Sequence, residues 1–292
     1  MPNILTRHAI ETPDGDISYL RGPERPGAPY FHILHATGFN AQTYRQLLEP
    51  LSEHLNVFAT DLRGQGHGTI KADPSEFNSW DIYREDFYRV LEHIGEPIYL
   101  MGHSVGSIIS IGGAVKRPDL VKGLILTEPL IPPAVGKIPE RPYNPIDNPL
   151  PEAARNRRSL FPSREAAIES YIGRGLFKTW DRSWIADYID GGTRLREDGQ
   201  VELTCAPEWE ARSFETAENN PWPQVEKLTC PTLMMYGAVH STCNPSGVEK
   251  YKTLQPGTKA IEVEGTGHFL PMERSELVAQ QVLAMIDRLE SQ

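Results

Sequence analysis

The sequence predicts an α/β fold: a mostly parallel central sheet with helices on both faces, interrupted by a mainly helical insertion. Three observations carry this. Short apolar runs alternate with helix-period segments up to residue 128, as βαβ units require. The rhythm then stops for roughly ninety residues, far longer than an ordinary loop. It resumes at residues 231–237 and ends in an amphipathic helix.

Asp14-Gly15 is a hairpin signal between two early strands. Residues 29–36 (PYFHILHA) are apolar enough for a buried strand. From Ala41, the apolar positions Tyr44, Leu47, Leu48, Leu51 and Leu55 share one helix face. NVFATD (56–61) is the next strand, leading into the glycine-rich loop LRGQGHG. Tyr83, Phe87, Val90, Leu91 and Ile94 mark a second amphipathic helix, stopped by Gly95 and Pro97. IYLM (98–101) is a third buried strand. Residues 105–117 form a helix rich in small residues, and residues 121–128 (VKGLILTE) form a fourth strand.

Eight prolines between Pro129 and Pro151 argue against regular structure there. Helical stretches follow at 151–160, 163–177 and 181–192, then a hairpin at Asp198-Gly199 and another helical piece at 206–217. PTLMMYG (231–237) and KAIEVEG (259–265) are strands, and residues 275–289 are the closing helix. The expected organisation is a core of residues 1–128 and 223–292 with a cap of residues 129–222.

Composition narrows the function classes. The chain has 292 residues and a formal charge of −10, from 39 acidic and 29 basic side chains. That balance argues against a nucleic acid or an anionic membrane surface as the main partner, because both attract clustered Lys and Arg. Cys205, Cys230 and Cys243 are widely spaced and odd in number, which suggests neither a disulfide framework nor a zinc site. No basic-then-apolar leader opens the sequence, and no apolar run is long enough to span a bilayer. The expectation is a reduced, cytoplasmic protein without metal or organic cofactor, its oligomeric state left open.

GHSVG (102–106) sits between a strand and a helix. That context suits a serine nucleophile held on a strained strand-to-helix turn, with the Val105 amide at a helix N-terminus to bind a developing oxyanion. A packing turn is the alternative. His268, in GTGHF (265–269), falls between the last strand and the last helix, at the same sheet edge as Ser104. It is the candidate base, with His35 and His67 as rivals on neighbouring strand-end loops.

LHATGFN (34–40), DLRGQGHG (61–68), GHSVG and GTGHF, in this order, resemble the α/β-hydrolases. The resemblance covers residues 1–128 and 225–292. It implies that the backbone N–H of Thr37 is the second oxyanion donor, while Asp61 and Arg63 hold a turn. Such enzymes most often carry their acid just after the strand assigned to 231–237, but no acid occurs from Ala238 to Val248 and His240 occupies that place. A second family position, at the end of the strand after the nucleophile helix, presents Glu128. Glu128 is then either the triad acid or a tether for the insertion, and a Ser–His dyad is a third arrangement.

The expected function is a serine hydrolase acting on small apolar carboxylic esters through Ser104, His268 and Glu128. Carbon–carbon, lactone or amide hydrolysis on the same triad is an alternative, as is a non-catalytic protein that binds a small ligand. The cluster Arg155, Arg157 and Arg158 reads as a solvated helix face, with carboxylate binding as the minority alternative.

Overall fold

The computed structural model describes residues 4–134, 148–217 and 220–292. Most of the proline-rich bridge, residues 135–147, lies outside the described residues. The elements are β1 (Thr6–Thr12), β2 (Gly15–Arg21), β3 (Tyr30–Leu34), α1 (Arg45–Leu51), β4 (Asn56–Thr60), α2 (Asp81–Ile94), β5 (Ile98–His103), α3 (Val105–Lys116) and β6 (Val121–Thr127). The chain then leaves the main sheet for α4 (Leu150–Arg155), β7 (Leu160–Phe161), α5 (Arg164–Tyr171), α6 (Arg182–Gly192), β8 (Thr193–Leu195), β9 (Val201–Leu203) and α7 (Pro207–Glu215). It returns through α8 (Trp222–Val225), β10 (Thr232–Gly237), α9 (Pro245–Leu254), β11 (Lys259–Val263), α10 (Leu270–Glu273) and α11 (Ser275–Glu290).

The eight-stranded sheet has the order β1-β2-β4-β3-β5-β6-β10-β11. β1 and β2 form the predicted hairpin, and β2 also runs antiparallel to β4. Every pairing from β4 to β11 is parallel. Successive residues of the buried strands therefore feed opposite cores. Phe31, Ile33, Tyr99 and Met101 pack with α1 and α11 on one face. Leu34, Ile98, Leu100 and Leu124 pack with α2 and α3 on the other. α2 ends at Gly95, whose φ of 64° is the left-handed conformation that stops a helix.

Strand order reverses at β3: β4 lies on one side of it and β5 on the other. In open α/β sheets, the crevice beyond the carboxyl ends at such a point is where ligands bind. Residues 148–217 stand over this edge, with β7, β9 and β8 forming a small antiparallel sheet of their own. They are tied down on two sides. Arg45 forms a two-toothed ion pair with Asp187 at 2.6 and 3.1 Å. Trp80 Nε1 donates to the Ser213 carbonyl at 2.9 Å.

Periodicity missed several features, the short helices α8 and α10 among them. α9 was not predicted, although Asn244 caps it by accepting from the Ser246 amide and Pro245 begins it. β7 has only two residues, too few to show alternation. Among the described residues, no helix is long and apolar enough to cross a membrane.

The fold buries three imidazoles beside the sheet: His32, His35 and His103. Burial pushes His32 down to about 3 and holds His35 and His103 below the ordinary histidine range. The unfolded chain therefore binds more protons than the native one once pH drops below about 6.5. Stability from these groups is present above that pH and lost as pH falls towards the folded values, with a limiting slope of roughly 4 kcal/mol per pH unit for three protons. Urea unfolding at about pH 7 and about pH 5.5 should show a clear fall in stability on acidification. Equal or greater stability at the lower pH would contradict the neutral burial of these histidines.

Candidate active site

The site is built from loops at the carboxyl ends of five adjacent strands, β3, β5, β6, β10 and β11. Ser104 follows β5 with φ 54° and ψ −119°. The glycines of GHSVG serve close approach, and the positive φ falls on the serine itself. A Cβ on Gly102 would lie 2.3 Å from the Gly106 carbonyl carbon, and one on Gly106 would lie 2.2 Å from the Leu34 carbonyl oxygen. Both glycines let α3 press against β5 and β3, and that pressing forces the turn at Ser104.

Ser104 is the N-cap of α3 but makes no side-chain capping bond, so its hydroxyl is not spent on the helix. It stands partly exposed in a cavity of about 720 Å³ that His268 also lines. Among the described residues the hydroxyl makes no hydrogen bond, none to His268 included. Val105 opens the helix directly behind it.

Glu128 follows β6 and has no exposed side-chain surface. Leaving a carboxylate dry is costly unless it is fully hydrogen-bonded. Here its oxygens accept from the amides of Gly237 (2.5 Å) and Thr242 (3.0 Å) and from the Ser241 hydroxyl (2.9 Å). Thr242 Oγ1 also lies 3.2 Å from Oε2. The loop after β10, which carries no acid of its own, is thus shaped to receive the acid from β6.

Oε2 lies 3.2 Å from His268 Nδ1. A carboxylate only accepts, so this contact places a ring proton on Nδ1, and in the neutral ring Nε2 then carries the lone pair. Among the described residues, three non-glycine residues have positive φ: Ser104, Glu128 (49°) and His240 (51°). All three lie at this edge, and such strain concentrates at functional sites.

The segment after β3 also converges here. The Ala36 amide donates to Tyr44 Oη at 3.2 Å and the Gly38 amide to Gln65 Oε1 at 2.6 Å. Between them the Thr37 amide has no partner among the described residues, and Thr37 lines the cavity. Tyr44 Oη lies 2.6 Å from His103 Nδ1, and His103 Nε2 lies 2.7 Å from the His268 carbonyl. A carbonyl only accepts, so Nε2 of neutral His103 carries the proton and Nδ1 accepts from Tyr44. Buried His103 thus links the β3 loop to the backbone of His268.

Neither rival histidine lines the cavity, and His67 is exposed. His35 Nδ1 bonds the Ala36 carbonyl at 2.8 Å, and its Nε2 accepts from the Leu62 amide at 2.9 Å. The His67 amide is bound by Asp61, which also receives the Ala41 amide and Arg7. Arg63 forms a two-toothed pair with Asp86, so Asp61 and Arg63 hold the turn as expected.

One reading needs correction. Arg155, Arg157 and Arg158 do not form a solvated helix face. α4 ends at Arg155, which pairs with Glu208 and Glu215. Arg157 instead turns inward into the cavity wall beside Glu210. The hydroxyls of Ser241 and Thr242, and the pair Tyr44 and His103, escaped sequence reasoning altogether. They lie far from their partners in sequence, and although His103 falls within GHSVG, that motif carries no sign of the Tyr44 and His268 contacts.

Comparison with known proteins places this geometry in context. The monoglyceride lipase homolog of Monkeypox virus is 30% identical over 255 residues, 84% of this chain and 83% of the viral protein. The (E)-2-((N-methylformamido)methylene)succinate hydrolase of Acinetobacter baylyi is 33% identical over 90 residues, which is 31% of this chain and 34% of that relative's length. The crystal structure of E-2-(acetamidomethylene)succinate hydrolase matches with a TM-score of 0.79 over 97% of this chain and 99% of that one, at 18% identity, a likeness of fold. A model of the alpha/beta hydrolase family matches residues 33–281, and the chain belongs to that family.

Proposed function

We propose that the protein is a serine hydrolase cleaving carboxylic esters through an acyl-enzyme. The observation that carries this reading is the contact of buried Glu128 with His268 Nδ1, on the wall of the cavity that holds the strained Ser104. Ser104 Oγ attacks the ester carbonyl while His268 Nε2 takes its proton. Glu128 orients the imidazole and stabilises the imidazolium. The Thr37 and Val105 amides bind the tetrahedral oxyanion. His268 returns the proton to the leaving alkoxide, giving the alcohol and an acyl-serine. Water, deprotonated by the same nitrogen, then releases the acid and restores Ser104. In this scheme the hydrogen bond between Ser104 and His268 forms once substrate is bound, as catalytic hydrogen bonds often do. The residues standing over the sheet edge act in this scheme as a cap, and their side chains complete the acyl pocket.

Initial rates on p-nitrophenyl esters from acetyl to palmitoyl should show turnover that Ser104→Ala abolishes, and the best chain length sizes the pocket. Turnover retained by the alanine variant, or none on any ester, would contradict the proposal. None on any ester would direct attention to lactone, amide or carbon–carbon substrates.

Glu128→Gln should lower kcat by roughly two to four orders of magnitude with KM changed only severalfold. It should also lower the melting temperature somewhat, because the new amide group faces backbone N–H donors. Near-normal turnover in a folded variant would remove Glu128 from the triad.

A further inference from the structure

One wall of the cavity carries an ion pair that the proposed triad does not use. Arg157, just after α4, and Glu210, on α7, both line the cavity, with 16% and 11% of their side chains exposed. Arg157 Nη1 donates to Glu210 Oε2, Nη2 donates to Tyr188 Oη, and Nε donates to Tyr171 Oη at 3.3 Å. A guanidinium has five N–H groups, so one on each terminal nitrogen remains without a partner among the described residues. Glu210 Oε1 likewise accepts none. The remaining charged lining groups, Lys178 and Glu273, are not part of this cluster; Glu273 accepts from Thr179 Oγ1 and the Gly267 amide.

The pair stands against the oxyanion segment. A Cβ on Gly38 would lie 2.4 Å from Glu210 Oε1 and 3.5 Å from Arg157 Nη1, so a side chain there would push the Glu210 carboxylate aside, and the φ of 77° strains any other residue. Gly38 is the residue after Thr37. A ligand group docked on the pair is therefore held near the carbonyl that Thr37 would polarise. Around it the wall is apolar, with Phe39, Ala154, Phe177 and Phe214.

What the pair offers is directional and neutral overall: N–H donors beside a carboxylate acceptor. We propose that Arg157 and Glu210 select substrates whose acyl part carries a carboxamide. The amide C=O would accept from Arg157, and its N–H would donate to Glu210 Oε1. A carboxylate in the same place would satisfy Arg157 but bring a second negative charge against Glu210, and an alkyl group would leave both unpaired. A purely structural pair is the competing explanation. Buried ion pairs, however, contribute little net stability compared with apolar packing, so stability gives no reason to keep one in a cavity wall.

The inference names a substrate class for the proposed ester hydrolase and rests on that reading. Its test has a binding arm that does not need turnover. Ethyl succinamate, monoethyl succinate and ethyl 4-methylpentanoate differ at one terminal group: carboxamide, carboxylate or branched alkyl. Calorimetric titration of the Ser104→Ala protein should rank the amide at least tenfold tighter than the carboxylate and severalfold tighter than the alkyl ester. In the wild-type protein, kcat/KM should follow the same order. Glu210→Gln removes the opposing negative charge and should invert the order, favouring monoethyl succinate by about tenfold. Binding of the carboxylate equal to or tighter than the amide in the Ser104→Ala protein would overturn the proposal, whether or not the Glu210 variant folds. So would equal binding of all three. The amide order in binding without turnover of any ester would retain this subsite while removing the ester-hydrolase reading.

Discussion

The site depends on one buried carboxylate. Glu128 sits at the tip of β6 in a positive-φ conformation, with no contact with solvent. A charge in that position is tolerable only if the surrounding chain supplies donors, and the loop after β10 supplies them from Gly237, Ser241 and Thr242. The same requirement explains the course of that loop. It bends through His240 at φ 51° and leads into the Asn244 cap of α9, so two backbone amides and a hydroxyl turn toward one side chain from a different strand. The remaining accepting direction of Glu128 meets His268. Removing the carboxylate would therefore leave the loop amides unpaired as well as freeing the imidazole.

A second set of contacts fixes the other side of His268. The hydrogen bonds from the Ala36 amide to Tyr44, from Tyr44 to His103, and from His103 to the His268 carbonyl join the β3 loop, the Ser104 turn and the His268 loop. His103 immediately precedes Ser104, so the strained turn and the histidine loop share one rigid neighbour. Burial keeps the His103 ring neutral, which lets it accept at one nitrogen and donate at the other without changing charge. The geometry at the strand edge is held by groups that need never touch a substrate.

Much of this fold could be read from the sequence because its strands are buried on both faces and its helices on one. β3, β5 and β6 stand out as apolar runs, and α2 and α11 as amphipathic repeats. Ser104 and His268 were legible because strand-to-helix context limits where a loop residue can point. Glu128 was visible as a candidate but ambiguous, since its role depends on contacts made 109 and 140 residues away. Arg157 was misread because three arginines close in sequence look like one face until the helix ends at Arg155 and the chain turns inward. Its partner Glu210 carries no signal at all, because pairing across 53 residues leaves no local pattern.

The proposed role of Ser104 is that of a nucleophile activated through His268. Intact-protein mass spectrometry after exposure to a fluorophosphonate, followed by peptide mapping, tests it directly. A single covalent adduct on Ser104 and much slower labelling in His268→Ala are expected. A folded protein that remains unmodified, or one labelled elsewhere, would contradict that role and favour a ligand-binding role for the cavity.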